Sequence, residues 1–480
     1  MEHQGDHVTD GRTLVAGVDS STQSTKIVVC DAETGQVVRS ARAPHPDGTE
    51  VHPDRWWEAY EQAAAGGILE GVAAIAVGGQ QHGMVTLDDE DTVVRDALLW
   101  NDTRSAGAAR DLTAELGGAA AWVEAVGSAL VPSFTVTKLR WLAEHEPERA
   151  ARVARVVLPH DWMTGRILQQ GNGFERWSTD RGDASGTGYW SAADGDYRLD
   201  LLERAFGRVV EVPEVLSPAQ RAGRTTGGLL VAAGTGDNMG AALGLTLQPG
   251  DVVVSLGTSG TVFTPHRSAI RDESGAIAGF ADATGHHLPL MCTLNAARVL
   301  TATARMIGVD LAELDRLALQ ASPGAGGLSL LPYLDGERTP DLPDATGTLA
   351  GLTRSNATPE NLARAAVEGM LCNLVAGVDA LRDKDVEVRR ILLIGGAAAS
   401  RAVREVAPGL FRAPVVVPAP AEYVGVGAAR QAAWALSAEP APPTWDLEID
   451  SEYAVRPGDE QAHADVVARY QALVTRTHGI

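Results

Sequence analysis

The stretch VAGVDSSTQSTKIVVCD, residues 15–31, reads as two β-branched runs joined by a turn of small and hydroxylated residues, with Asp19 ending the first run. A carboxylate at the end of an apolar strand is costly unless it is paired or holds a cation. A tip of small residues lets backbone N–H groups point outward unobstructed, and such concavities bind anions. DVVVSLGTSGTVF, residues 251–263, repeats the pattern. Setting Asp19 against Ser255 places Thr22 opposite Thr258 and Ser24 opposite Gly260. Turn chemistry favours these residues in unrelated hairpins too, so the pair is either a duplicated unit or a coincidence. Duplication would give two copies of one domain, and small ligands usually sit in the cleft between domains.

Length agrees with two domains, because 480 residues exceed what one core serves. Hydrophobic residues at 45% and charged residues at 21% fit an ordinary globular chain. A net charge of −22 repels a phosphate backbone, so no nucleic-acid partner is expected, although a few amides and one metal ion can still hold a triphosphate. The three cysteines, Cys30, Cys292 and Cys372, are scattered without a CxxC pair. Cys30 and Cys292 lie in apolar runs and read as buried free thiols, which suits a reducing compartment. The polar MEHQGDHVTDGR at 1–12 is no signal peptide, and no run reaches the ~20 apolar residues of a membrane span. A cytoplasmic protein without a membrane partner is expected.

Outward from the first hairpin, TGQVVRSARA adds a third strand, and residues 54–65 read as a helix. VAAIAVGGQQHGMVTLD gives a buried strand, a glycine-rich turn and a returning strand. Residues 104–170 are mainly helical, with TVTKLRWLAEHEPE the best amphipathic segment, and TDRGDASGTGYW interrupts as an ordered loop. The second half restarts at Gln248–Asp251. It continues with a helix from Pro359 to about Leu381, the strand RRILLIGG and a Gly/Ala helix near 424–437. Strands alternate with helices, so the class is α/β.

Five places carry candidate chemistry. At the hairpin tips, hydroxyls of Ser21, Thr22, Thr258 and Ser259 add donors for phosphate oxygens, although neither tip is a Walker loop. In GTGDN, Asp237 and Asn238 open a Gly/Ala helix, so Asp237 is either an N-cap or a carboxylate able to take a proton from a hydroxyl. In GGQQHGMV, the amide of Gln81 and the imidazole of His82 suit sugar hydroxyls, each offering donor and acceptor, while a structural histidine is the plainer reading. In ILLIGGAAAS, Gly395 and Gly396 leave room for a flat ring against backbone or merely allow tight packing. No HExxH or zinc spacing of Cys and His occurs.

Taken in order, these segments resemble the FGGY carbohydrate kinases of the actin/Hsp70/sugar-kinase superfamily, from about residue 13 to 440. SFTVTKLRWLAEH at 133–145 and GTLAGLTRSNATPENLARAAVEG at 347–369 satisfy that family's signatures in spacing and residue type. Within the family, GGQQHGMV, LLWNDTRS and GTGDN look most like members acting on D-xylulose. The resemblance implies two ribonuclease H-like domains, 1–247 and 248–480, flanking a deep cleft. It implies ATP and Mg²⁺ as cofactors and transfer of phosphate to the 5-hydroxyl of D-xylulose, other ketoses or polyols being the alternative. A nucleotide-gated binding protein without turnover is the rival of another class.

Carried over, Asp237 becomes the proton acceptor, and Asp19 the strand-end acid reaching Mg²⁺ through water. Gln81, His82 and Asn238 become sugar contacts, with Asp102 and Arg104 of WNDTR nearby. Ser21, Thr22, Lys26, Gly257 and Thr258 fall on the phosphate side, and Gly395, Gly396 and Ser400 on the adenosine side. Homodimers are common among such relatives. The chain departs from the commoner family residues at Ser21, Ser24, Gln81 and Ala397.

Overall fold

The computed structural model describes residues 11–170 and 173–479, so most of the polar stretch at 1–12 lies outside the described residues. The chain divides into two units. Unit 1 takes residues 1–247, 279–287 and 421–446; unit 2 takes 248–278, 288–420 and 447–480. Two segments late in the chain thus belong with the first unit.

Unit 1 is built on the opening hairpin. β1 (Leu14–Ser20) pairs antiparallel with β2 (Ser24–Asp31), and β2 with β3 (Val37–Pro44). On its other side β1 runs parallel to β4 (Val72–Gly79). Val15, Ala16 and Val18 are fully buried. Both faces of the strand are covered, which is why its sequence is a continuous apolar run rather than an alternating one. The helix α1 (Asp54–Ala64) sends Trp56, Trp57 and Tyr60 into the cluster that holds Ala16 and Val18.

Three further helices matter below: α2 (Thr135–His145), α3 (Pro159–Gln169) and the five-residue α4 (Arg181–Ser185). α4 lies inside the stretch read as a loop; Asp180 caps it by accepting hydrogen bonds from the N–H groups of Gly182 and Asp183. Nor does Val85–Leu87 return along β4, since it pairs with Arg155–Val157. The sheet continues through β5 (Arg221–Arg224) and β6 (Leu230–Ala232), giving the order β5-β6-β4-β1-β2-β3. A short β7 (Thr235–Gly236) also lies parallel to β4 and leads into α5 (Asp237–Gly244).

Unit 2 repeats this order. β8 (Asp251–Leu256) pairs antiparallel with β9 (Gly260–Phe263), and β9 with β10 (His287–Thr293). α6 (Pro359–Arg382) precedes β11 (Arg390–Ile394), which lies parallel to β8; helix α7 (Arg401–Phe411) then leads to β12 (Val415–Pro418), parallel to β11. Thus β10-β9-β8-β11-β12 reproduces β3-β2-β1-β4-β6 in order and direction. Shared topology favours duplication over coincidence. The match of Ser24 to Gly260 is off by one residue, because the last pairs are Ser20 with Thr25 and Leu256 with Gly260. The second loop is one residue shorter.

The last helix, α8 (Tyr423–Ser437), belongs to unit 1. Its small residues meet glycines of β1 and α5: a Cβ at Gly17 would lie 2.5 Å from the N of Ala429, and one at Gly427 would lie 2.8 Å from the N of Gly244. Among the described residues no helix is long and apolar enough to cross a membrane. Cys30, Cys292 and Cys372 are free thiols, Cys292 being only half-buried.

Candidate active site

In unit 1 the parallel strands end together. Asp19 on β1 and Thr235 on β7 both stand beside Gly78 of β4, so Asp19 and Asp237 leave the same sheet edge about two strand spacings, ~10 Å, apart. Ligands of α/β sheets bind at such carboxyl ends. Gly79 is followed by Gln80, Gln81 and His82, which brings Gln81 and His82 to the same edge. A Cβ at Gly236 would lie 2.9 Å from Cγ of Gln81.

Asp237 is the first residue of α5, and its side chain makes no capping bond; Gly236 occupies the cap position. Its Oδ1 instead accepts from the backbone N–H of Asn238 at 2.7 Å and from that residue's amide at 2.8 Å. The capping alternative therefore falls. Loss of hydration pushes the Asp237 carboxyl up to about 7, the Asn238 hydrogen bond opposing and the charge of Asp19 adding to the rise. A carboxylate at that value is half-ionised at neutral pH and suited to accept a proton.

Asp19 is buried, which raises its carboxyl above the ordinary range, while Lys26 and Ser21 partly offset this. Oδ1 accepts from the Ser21 hydroxyl and Oδ2 meets Nζ of Lys26 at 3.2 Å. Lys26 also reaches Glu422 at 2.6 Å, so its ammonium is held between two acids. Both Asp19 oxygens are thus occupied. This donor set fits Mg²⁺ through an intervening water, the arrangement Mg²⁺ favours when phosphates supply its other oxygens.

His82 has a left-handed backbone, φ +67°, a sparsely populated state that surrounding structure must hold. Its carbonyl accepts from the Thr135 hydroxyl at 3.1 Å and from Nζ of the fully buried Lys138 at 3.2 Å, both on α2. Its Nδ1 donates to the carbonyl of Gly186 at 2.6 Å, which fixes the tautomer. Phe134 and Phe280 flank the ring, with centroids 4.9 and 5.7 Å away. Gln81 donates to the carbonyl of Gly182 at 3.1 Å. Lys138 and the two phenylalanines escaped the sequence reading; the one signal was a lysine among the apolar positions of α2.

Asp102 accepts from the backbone and Nε of Arg104 and from Thr49, and although burial acts to raise its carboxyl, these partners hold it below the ordinary range. Arg104 also pairs with Glu50 at 2.7 Å and lies over Trp141. From the same segment, the Trp100 indole donates to the Thr22 hydroxyl at 2.8 Å, linking WNDTR to the first hairpin tip.

In unit 2 the carbonyls of Gly257 and Thr258 accept from the N–H groups of Ala297 and Ala296. A cavity of about 420 Å³ opens beside Thr258, lined also by Arg298, Thr301, Arg305 and Asp335. Gly395 has φ +89° and packs on the backbone of Leu256, whereas a Cβ at Gly396 would meet nothing within 4 Å, the open face a flat ring needs. The Ser400 hydroxyl is engaged as cap of α7, accepting from Val403 and donating to Asp315.

The N-terminal domain of the FGGY family of carbohydrate kinases matches residues 14–244, and its C-terminal domain matches 252–436. The chain belongs to the FGGY family of carbohydrate kinases. It is a sugar kinase, with ATP and a sugar as substrates. A xylulose kinase of Streptomyces coelicolor is 46% identical over 443 residues, 89% of each chain. A xylulose kinase of Haemophilus influenzae is 32% identical over 88% of this chain and 90% of its own. The crystal structure of a xylulose kinase from Bifidobacterium adolescentis superposes with a TM-score of 0.89 at 46% identity, covering 96% of this chain and 99% of that one.

In this FGGY kinase, His82→Ala is expected to raise the sugar KM by roughly 10–100-fold, the weight of one or two lost hydrogen bonds, with the ATP KM unchanged. Initial rates at varied sugar and fixed saturating ATP measure this, and an unchanged sugar KM removes His82 from the pocket.

Proposed function

We propose that this chain transfers the γ-phosphoryl group of ATP to the 5-hydroxyl of D-xylulose, in the cytoplasm. The observation that carries the reading is Asp237, a carboxylate poised near neutrality at the end of the parallel strands beside Gln81. The choice of sugar is supported by the relatives named above, and the compartment by three free thiols.

Phosphoryl transfer has a loose transition state, so positioning and charge neutralisation dominate and the base accepts its proton late. The described hydrogen bonds of Asp237 fall on Oδ1, leaving Oδ2 to take the hydrogen of the attacking hydroxyl. Gln81, His82 and Asn238 hold the sugar, with Asp102 and Arg104 as a rigid charged wall beside them. Ser21, Thr22, Gly257 and Thr258 receive phosphate oxygens. The Trp100 indole occupies a lone pair of Thr22 and so turns the hydroxyl hydrogen outward. Gly395, Gly396 and the cavity beside Thr258 take the nucleoside. Asp19 would hold Mg²⁺ through water, and the ion would supply neutralisation of the phosphate charge.

An ADP-release assay over D-xylulose, D-ribulose, a hexulose and glycerol tests the reading. D-xylulose is expected to exceed the others in kcat/KM by at least ~10-fold, as a site that hydrogen-bonds particular hydroxyls discriminates. A different best sugar would replace the substrate, and calorimetric sugar binding without ADP release would replace the kinase by a binding protein.

A further inference from the structure

His160 lies on α3 with no exposed surface, and no role above uses it. Its Nε2 is 2.9 Å from the carbonyl oxygen of Ala233. A carbonyl only accepts, so Nε2 carries a hydrogen. Its Nδ1 is 2.9 Å from Oδ1 of Asp161 and 3.3 Å from Oδ2 of Asp183, both fully buried. Two carboxyl groups facing Nδ1 call for a hydrogen there as well. Asp161 is itself fixed, its Oδ2 accepting from the N–H of Leu158.

His160 is wedged between two glycines, its Cβ against one and its ring against the other. A Cβ at Gly79 would lie 2.7 Å from the Cβ of His160, and one at Gly234, where φ is +78°, would overlap Nε2 and lie 2.6 Å from Cδ2. Gly79 leads to Gln81 and His82; Gly234 leads to Asp237. Asp183 sits on α4, whose Gly182 carbonyl holds Gln81, and the next residue after α4, Gly186, holds His82. His160 therefore touches the segments that lead to Gln81 and His82 and to Asp237, and the helix beside which both sugar residues are held.

We propose that His160 is a positioning residue, a buried imidazolium that ties α4 and the Ala233–Gly236 turn to α3 and so sets Asp237 against Gln81 and His82. This rests on the sugar-kinase reading given above. The titratable groups facing it are Asp161 on its own helix and Asp183 and Asp180 from the 178–185 segment; the phenols of Tyr189 and Tyr197 act on Asp161. β4 and the 233–236 turn bring no titratable side chain. Burial by itself lowers the pKa of His160, but the hydrogen bonds and charges of Asp161 and Asp183 hold it well above its ordinary value. Burial raises Asp183 well above the carboxylate range, with His160 only partly offsetting this.

His160→Gln keeps a neutral donor and loses the cation, whereas His160→Lys keeps the cation. H160Q is expected to lower sugar kcat/KM by ~10²-fold, the effect of ångström misplacement, with the ATP KM unchanged, and H160K to recover most of it. A purely structural role would lower Tm in both variants without separating their kinetics. Ring-¹⁵N-histidine NMR of the wild type reads the charge directly: one histidine, assigned by its absence in H160Q or H160K, should stay doubly protonated well above the ordinary ~6.5. A neutral ring at pH 7, or an H160Q enzyme with unaltered sugar kinetics, overturns the proposal. Wild-type turnover of D-xylulose is the control, since its absence would sink the kinase reading instead, while the NMR result stands apart from activity.

Discussion

Asp237→Asn is expected to lower kcat by ~10²–10⁴-fold while leaving the ATP KM unchanged, and at the same time to make the protein more stable. The asparagine keeps the size of the side chain and an oxygen for the Asn238 N–H, so lost activity reports the lost base. With the carboxyl at about 7, the wild-type rate should fall tenfold per unit as pH drops below that value and level off above it. The residual rate of D237N should lack this limb. Stability has the opposite dependence. The folded pKa is raised above the unfolded ~3.9, so the group's contribution is complete below pH ~4 and lost as pH rises through 7. Above that pH the ionised carboxylate strains the fold. Three units amount to at most ~4 kcal/mol, and partial exposure with solvent screening reduces this to the order of 1–2 kcal/mol. D237N should therefore gain a few degrees in Tm at pH 8 and nothing at pH 4. Thermal unfolding at the two pH values, beside kcat at each, measures both halves. A fully active D237N refutes the base, and equal Tm values at pH 8 refute the buried charge.

Much of this site was legible because its chemistry is local. Asp19 and Asp237 stand at strand ends, where an apolar run breaks into glycine and hydroxyl residues, and such breaks survive in one dimension. His82 and Gln81 were legible for the same reason. The N-cap reading of Asp237 could be removed only by coordinates, since cap and base use the same residue beside the same glycine turn. Lys26 shows another limit: Glu422, which shares its ammonium with Asp19, is 396 residues away in sequence. His160 was invisible because a lone histidine at a helix start has no pattern, and its meaning comes from Asp183 and Ala233 on other elements. The placement of α8 with unit 1 was hidden as well. Its alanines and glycines announce close packing but not the partner.

That close packing underlies the other large effect, Gly427→Val. A Cβ at Gly427 would overlap the carbonyl oxygen of Gly240 and lie 2.7 Å from its carbon and 2.8 Å from the N of Gly244. All three are backbone atoms of α5, so no rotamer change relieves the clash and one helix must move. Overpacking against side chains costs about 1–3 kcal/mol, and against fixed backbone the cost should reach or exceed the top of that range. α5 begins with Asp237, and α8 also abuts β1 at Gly17, three residues before that strand ends at Ser20. A shift of α8 therefore displaces the base as well as loosening the unit, and displacement by an ångström costs ~10²-fold in rate. G427V is expected to lose at least ~6 °C in Tm, or fail to fold, and what folds should have a lowered kcat. Gly107→Ala, in the helix Ala106–Leu116 with only the Arg110 guanidinium at 4.0 Å, is the contrast: it should be neutral or slightly stabilising, as an alanine favours the helix. Equal Tm values for the two variants would mean that α8 does not rest on α5 at these glycines, and the support beneath Asp237 would have to be sought elsewhere in unit 1.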